Sequence, residues 1–113
     1  MAYDPELADR IRVALAEESA VSERAMFGGL GFMIDGAMAV AAGSGGSLML
    51  RVTPSDAAEL AGVRGLAPME MRGGPIRGWM LADAAATASD ESLRALVARG
   101  VAAARRAGPR KRR

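Results

Sequence analysis

The first regular pattern along the chain is an apolar stripe at helical spacing near the amino terminus. Leu7, Ile11 and Leu15 recur every four residues, and charged residues occupy half of the positions between them. Asp4-Pro5 precedes the stripe, where Asp can cap free amide groups and Pro suits the first helical turn. The pattern predicts a helix over about residues 4–18.

The next segment changes to short apolar runs that are typical of strands. We predict three consecutive strands at about 25–34, 37–42 and 47–52. Asp35-Gly36 separates the first two and indicates a two-residue hairpin, because both positions tolerate positive φ. The glycine-rich segment 43–46 forms a looser second turn. The three strands therefore form an antiparallel meander.

Two further helices and two further strands follow. Thr53 and Asp56 form a capping box around a short helix that ends at Gly62. Two short strands are expected at about 67–72 and 77–83. A final amphipathic helix begins after Ser89, and Gly108-Pro109 ends it.

The resulting order of elements is α-βββ-α-ββ-α. It predicts an α+β fold of two layers, with an antiparallel five-stranded sheet and helices on one face. The other face of the sheet is then exposed or covered by a partner. We expect one domain over residues 1–106 and a basic, disordered tail over residues 107–113.

The composition contains no Cys and no His. Disulfides, the usual zinc sites and the commonest general base at neutral pH are therefore excluded, and we expect no cofactor and no metal. The polar, acidic start of the chain does not resemble a signal peptide, and no apolar run approaches the roughly 20 residues that span a bilayer. We expect a cytoplasmic protein.

The net charge of +2 conceals two regions of opposite sign. Residues 1–98 hold all thirteen acidic residues and eight Arg, a net charge of −5, whereas residues 99–113 carry +7. Such a basic segment binds phosphate backbones without reading sequence, and the alternative is a solubilising terminus. The side chains that we assign to nucleic-acid contact are Arg105, Arg106, Arg110, Lys111, Arg112 and Arg113.

No arrangement of residues indicates catalysis. The glycine-rich stretch 28–31 lacks the following helix and the Lys-Ser/Thr pair of a phosphate-binding loop, so we interpret these glycines as structural. Glu23, Asp35 and Glu70 are potential general acids, but they form no recognisable pair or triad. We therefore expect a protein that is not an enzyme.

Arginine and methionine offer two candidate binding surfaces. Arg24, Arg51, Arg72 and Arg77 can gather on one side of the sheet, and Arg51 can stack on Trp79 as a cation–π or base-stacking pair. The competing interpretation is solvated strand edges around a half-buried tryptophan of the core. We interpret the eight methionines as core packing rather than as a binding surface.

The stretch from Arg24 to Ala39 resembles the opening of the TfoX N-terminal domain, a family of bacterial competence regulators. It contains a Met-Phe-Gly-Gly strand, a Gly-aromatic pair, an Asp-Gly hairpin and a small apolar strand. The likeness extends over about residues 4–106. The positions that carry the family signature, all interpreted as structural, are Met26, Phe27, Gly28, Gly29, Gly31, Asp35, Gly36, Gly78 and Trp79.

The resemblance implies a regulatory interaction module linked to transcription or competence. Its partner would be a protein, by family analogy a transcription factor, with nonspecific DNA contact through the basic tail. The alternative is a small-molecule or peptide carrier of chaperone-like form that uses the open sheet face. A homodimer is compatible with either, because a five-stranded sheet leaves edges and a face exposed.

The basic tail yields the first testable prediction. Deleting residues 105–113 should weaken binding to duplex DNA and reduce its salt dependence, because each lost phosphate contact lowers the number of released counterions. Fluorescence anisotropy with a short duplex at several salt concentrations measures both quantities. Unchanged affinity and salt slope would show that the tail does not bind DNA.

Overall fold

The computed structural model describes residues 3–26, 28–43, 45–71 and 74–107. No helix within these ranges is long and apolar enough to cross a lipid bilayer. In chain order the elements are α1 (Pro5–Ala14), β1 (Val21–Met26), β2 (Gly29–Ile34), β3 (Ala37–Ala42), β4 (Leu48–Arg51), α2 (Pro54–Leu60), β5 (Leu66–Met71), β6 (Gly74–Ala82) and α3 (Asp90–Ala107).

The strands form one antiparallel sheet in the order β1-β2-β3-β4-β6-β5. The α+β class is confirmed, with six strands rather than the five predicted. The predicted strand at 25–34 is the end of β1 followed by β2: Met26 pairs directly with Gly29, and Gly28 reverses the chain with a φ of +77°. The polar start of β1 carries no apolar alternation, so the sequence pattern does not reveal this strand.

The predicted turn and capping chemistry is confirmed at two places. Asp35 and Gly36 join β2 to β3 with φ values of +54° and +88°. At the start of α2, the Asp56 amide donates to Thr53 Oγ1 at 3.1 Å, and the Thr53 amide donates to the Asp56 carboxylate at 3.3 Å. Helix α1, in contrast, ends at Ala14, several residues before the predicted end.

The core lies between the sheet and the three helices, which share one layer. Helix α3 packs across β2, β3 and β4, α1 packs on α3, and α2 contacts β6. The sheet contributes alternate residues of its central strands, and α3 contributes a stripe at helical spacing. The principal buried side chains are Leu7, Ile11, Leu30, Phe32, Ile34, Val40, Leu48, Leu50, Met80, Leu93, Leu96, Val97 and Val101.

Ion pairs hold the helical layer together at its surface. Arg99 of α3 contacts two carboxylates of α2, Asp56 at 2.6 Å and Glu59 at 3.0 Å, and both raise the pKa of its guanidinium. Arg10 of α1 reaches Asp90 at the start of α3 at 3.1 Å. Because these pairs are partly or largely exposed, they mainly orient the helices and contribute little to the free energy of folding.

Both edges of the sheet carry features that oppose pairing with another strand. The edge strand β1 exposes Glu23 and Arg24, and the other edge strand, β5, contains Pro68. Charged residues and proline on edge strands block the addition of a further strand. A partner is therefore more easily accommodated on a face of the sheet than at an edge.

Helix α3 and strand β3 approach most closely at Gly100. A Cβ atom at this position would lie 2.6 Å from the carbonyl oxygen of Ala39 and 2.7 Å from Val40 Cγ1. Glycine thus permits a helix–sheet distance that any side chain would increase.

This close approach yields a prediction about stability. Alanine gains about 1 kcal/mol of helix propensity over glycine, but overpacking against backbone costs about 1–3 kcal/mol. We expect G100A to lower the free energy of unfolding slightly and G100V to lower it by about 2–3 kcal/mol, measured by urea denaturation.

The matched control is G45A, because a Cβ atom at Gly45 would have no neighbour within 4 Å. This variant should stay close to wild type. A G100A protein that is more stable than wild type would show that the helix can move away from β3 at no cost.

Candidate functional site

The sheet surface opposite the helices is the candidate binding surface, and we call it the open face. Residues directly opposite each other in an antiparallel pair point to the same side. The register therefore assigns to the open face Ser22, Arg24, Met26, Gly31, Met33, Met38, Ala41, Met49, Arg51, Ala67, Trp79 and Leu81. Its larger side chains are apolar with few exceptions, although no helix of the described chain covers it.

Four methionines dominate one half of this face. A Cβ atom on Gly31 would lie 2.7 Å from Met38 Sδ and 3.6 Å from Met26 Cε, so these two side chains close over the glycine. Met33, opposite Met38, and Met49 are half-buried and outside the core cluster. The interpretation of the methionines as core packing is therefore wrong for these four, because strand register carries them to the exposed side.

Arg51 and Trp79 form the other half of the open face. The guanidinium carbon lies 4.9 Å from the centre of the indole ring, so of the two interpretations that the sequence allows, the structure contains the cation–π pair. Arg51 Nε also donates to the carbonyl oxygen of Met38 at 2.7 Å. Partial burial lowers the pKa of Arg51, but a guanidinium remains charged at neutral pH. The face thus holds a fixed positive charge over an aromatic ring.

Over strands β1–β4, the charge on the open face is of one sign. Arg24 stands opposite Gly31 on the same side as Arg51, whereas Glu23 points to the helix side and binds Arg12. Among the described residues of β1–β4, no acidic residue shares the face with these arginines. An apolar surface with a positive rim selects against basic partners and favours acidic ones.

Some residues of the family signature lie on the open face, and others lie in the turns and close strand contacts next to it. Met26, Gly31 and Trp79 belong to the open face, and Asp35-Gly36 is the hairpin turn described above. Gly28 forms the β1–β2 turn. Gly29 allows close contact with β3, since a Cβ atom there would lie 2.7 Å from the carbonyl oxygen of Ala42. Gly78 has a φ of +86°, a conformation that favours glycine. Phe27 lies outside the described residues.

The basic residues assigned to nucleic acid are only partly within the described chain. Helix α3 continues to Ala107, so Arg105 and Arg106 belong to folded structure. Arg105 donates to Glu18 at 2.8 Å, which directs it towards the domain, while Arg106 is exposed. The other four residues assigned to nucleic-acid contact lie outside the described residues: Arg110, Lys111, Arg112 and Arg113. Arg72, one of the arginines expected on the sheet, also lies outside them.

The potential general acids do not converge. Glu23 is on β1, Asp35 in the β2–β3 turn and Glu70 on β5. Arg12 binds both carboxylate oxygens of Glu23, at 2.7 and 2.9 Å, and these hydrogen bonds lower the pKa of Glu23. A carboxylate held ionised by a bidentate arginine is suited to structure rather than to proton transfer.

A groove lies between α2 and the β5–β6 hairpin, on the helix side of the sheet. This groove has a volume of about 710 Å³. Its lining consists of Val52, Thr53, Pro54, Ala57, Ala61, Gly62, Leu66, Pro68, Ile76, Arg77, Gly78, Trp79 and Met80. No local sequence pattern indicates this groove, because its residues come from three elements that only the tertiary fold brings together.

Comparison with known proteins identifies a family for the chain. Residues 14–104 match the family model of the TfoX N-terminal domain. The match covers most of the 113 residues, from the end of α1 to near the end of α3. No curated protein and no solved structure matches the chain.

The Glu23–Arg12 pair predicts a pH dependence of stability. A carboxyl whose pKa is lowered on folding stabilises the native state above its ordinary titration range, and this contribution disappears as the pH falls through the lowered pKa. Between about pH 6 and about pH 3, wild type should therefore lose more stability than E23Q. Thermal denaturation at a series of pH values measures the difference.

The matched control is E17Q, which changes an exposed carboxylate with no ion pair in the described part of the chain. It should keep the wild-type pH dependence. If E23Q and E17Q have the same pH profile, the Arg12 contact does not contribute in solution.

Proposed function

Because this chain belongs to the TfoX N-terminal domain family, we propose that it is a regulatory interaction module that binds a protein partner and is not an enzyme. The family suggests a role related to competence, and the partner that we propose is a cytoplasmic transcription factor. The observation that carries the proposal is the open face, an apolar sheet surface that the domain does not cover with its own helices.

The methionines of the open face support partner binding. Met33, Met38 and Met49 are only half-buried, so part of their apolar surface is in contact with water. Methionine is flexible and polarisable, and it is common on surfaces that bind helical segments of partners. Covering these side chains would recover apolar surface that folding alone leaves exposed.

The edges of the sheet favour a partner that docks on the face. Glu23 and Arg24 on β1 and Pro68 on β5 oppose an added strand, as described above. A helix laid across the open face needs no free backbone groups from the sheet. We therefore propose that the partner contributes an amphipathic helix rather than a strand.

The arginines define the polar rim of that helix. Arg24 and Arg51 lie on the open face without an acidic neighbour on the same side of β1–β4. Acidic residues flanking the apolar stripe of the partner would neutralise them. A face-to-face homodimer would instead bring two copies of both arginines into one interface, so we propose a heterologous partner.

The alternative function is a carrier that binds a small molecule or peptide on the same face. It is favoured by the contiguous apolar surface, which a carrier also requires. The two functions differ in what is retained after purification. A regulator retains a defined protein partner, whereas a carrier binds short apolar peptides of many sequences with similar affinity.

The open face yields a prediction about binding. The native protein is used to capture partners with nuclease present, the partner is identified by mass spectrometry, and its affinity is then measured with purified components. M33E and M49E should weaken that affinity at least about tenfold, or about 1.4 kcal/mol, because each places a carboxylate in the apolar contact.

The matched control is A98E, which adds the same charge at an exposed position of α3 on the helical layer. It should bind the partner like wild type, and circular dichroism should show all three variants folded. If A98E abolishes binding and the methionine variants do not, the partner docks on the helices and the proposal is wrong.

A further inference from the structure

We propose that the groove between α2 and the β5–β6 hairpin binds a small amphipathic anion, an aliphatic carboxylate whose chain lies in the groove and whose head group contacts Arg77. Most of the groove lies on the helix side of the sheet, and Trp79 is the residue that it shares with the open face. The inference does not rest on the proposed partner binding, because the other lining residues were not assigned to the open face.

The first argument is the shape of the groove. Its volume of about 710 Å³ lies within the range of roughly 300–1,000 Å³ that is usual for small-molecule sites. Helix α3 packs over β2, β3 and β4, so the β5–β6 hairpin has only the short helix α2 beside it. The helical layer is too narrow to fill the space above the hairpin, and a concave gap results.

The second argument is the chemistry of the walls. Most of the lining is aliphatic, with Val52 and Met80 at the core end. Three apolar residues of the lining are only half-buried: Ala57, Leu66 and Ile76. A hydrocarbon chain in this position would remove their remaining surface from water.

The third argument is the charge. Arg77 is the only charged residue in the described part of the lining, and no carboxylate of the described chain forms an ion pair with it. Asp56, the acidic residue of α2 that is nearest in sequence to the lining residue Ala57, is occupied by Arg99 at 2.6 Å. Arg77 is exposed, so it would repel a cationic ligand and would add nothing to the binding of a purely apolar one. An apolar chain with one anionic group satisfies both parts of the groove.

The experiment uses Trp79, the single tryptophan of the chain, which lies in the groove lining and also on the open face, so variants of both surfaces are needed to locate the ligand. The full-length protein is titrated with decanoate, decanol and decyltrimethylammonium, each below its micelle concentration, and tryptophan fluorescence is recorded. We expect saturable binding of decanoate, binding of decanol weaker by about tenfold, and no saturable binding of the cation.

Variants separate the head-group contact from the walls. R77Q should weaken decanoate binding about tenfold and leave decanol binding unchanged. The matched control R94Q removes the same charge from an exposed position of α3 and should leave both unchanged. A57F fills the groove and should abolish both. Because A57F changes a half-buried position, A61F at the exposed end of α2 provides a second test with less risk to folding.

Three outcomes would overturn the inference. The first is decanoate binding that does not saturate, and the second is an equal effect of R77Q and R94Q. The third is loss of decanoate binding in M33E but not in A57F or A61F, which would place the ligand on the open face.

Discussion

The contact between α3 and β3 is the constraint on which the rest of the structure depends. Gly100 lets the helix axis approach β3 until a Cβ atom would collide with the Ala39 carbonyl oxygen, and the stripe of Leu93, Val97 and Val101 then reaches the central strands. Close packing of this kind is what makes a core of small aliphatic side chains sufficient in a domain with only four aromatic residues. Arg10 and Arg99 then orient α1 and α2 on either side of α3.

Placing all the helices in one layer decides what the other side of the sheet must be. Within the described chain, no helix buries the residues that alternate with the core positions. On β2–β4 they are methionine, alanine and glycine, with Arg51 as the charged residue. The Met38 carbonyl oxygen and the indole ring of Trp79 hold the Arg51 guanidinium from two sides. The same one-layer arrangement leaves the β5–β6 hairpin without a full cover, and the groove is the consequence. The packing of all helices in one layer therefore leaves two surfaces of different chemistry, an apolar sheet face and a concave groove.

Part of the candidate site was predictable and part was not. The Arg51–Trp79 pair is one of two interpretations that the sequence allows, and the register of β4 with β6 decides between them. The methionine cluster could not be predicted, since Met33 and Met38 share a face only through a register shift between Phe32 and Met33 that no local pattern signals. The contact of Arg105 with Glu18 could not be predicted either, because it depends on the distance between the segment after α1 and the end of α3. Strand β1 was overlooked for a related reason: an exposed edge strand has no buried side and hence no apolar alternation.

The sequence by itself determined the α+β class, the Asp35-Gly36 hairpin, the Thr53–Asp56 cap and the membership of the TfoX N-terminal domain family, because each depends on residues that are close together in the chain. Only the tertiary structure decided which side of each strand is covered, which methionines are exposed, and where a groove remains. These properties depend on register and on helix placement, which are set by the sum of many contacts between distant residues. A one-residue change of register would exchange the two faces of a strand without altering its local sequence.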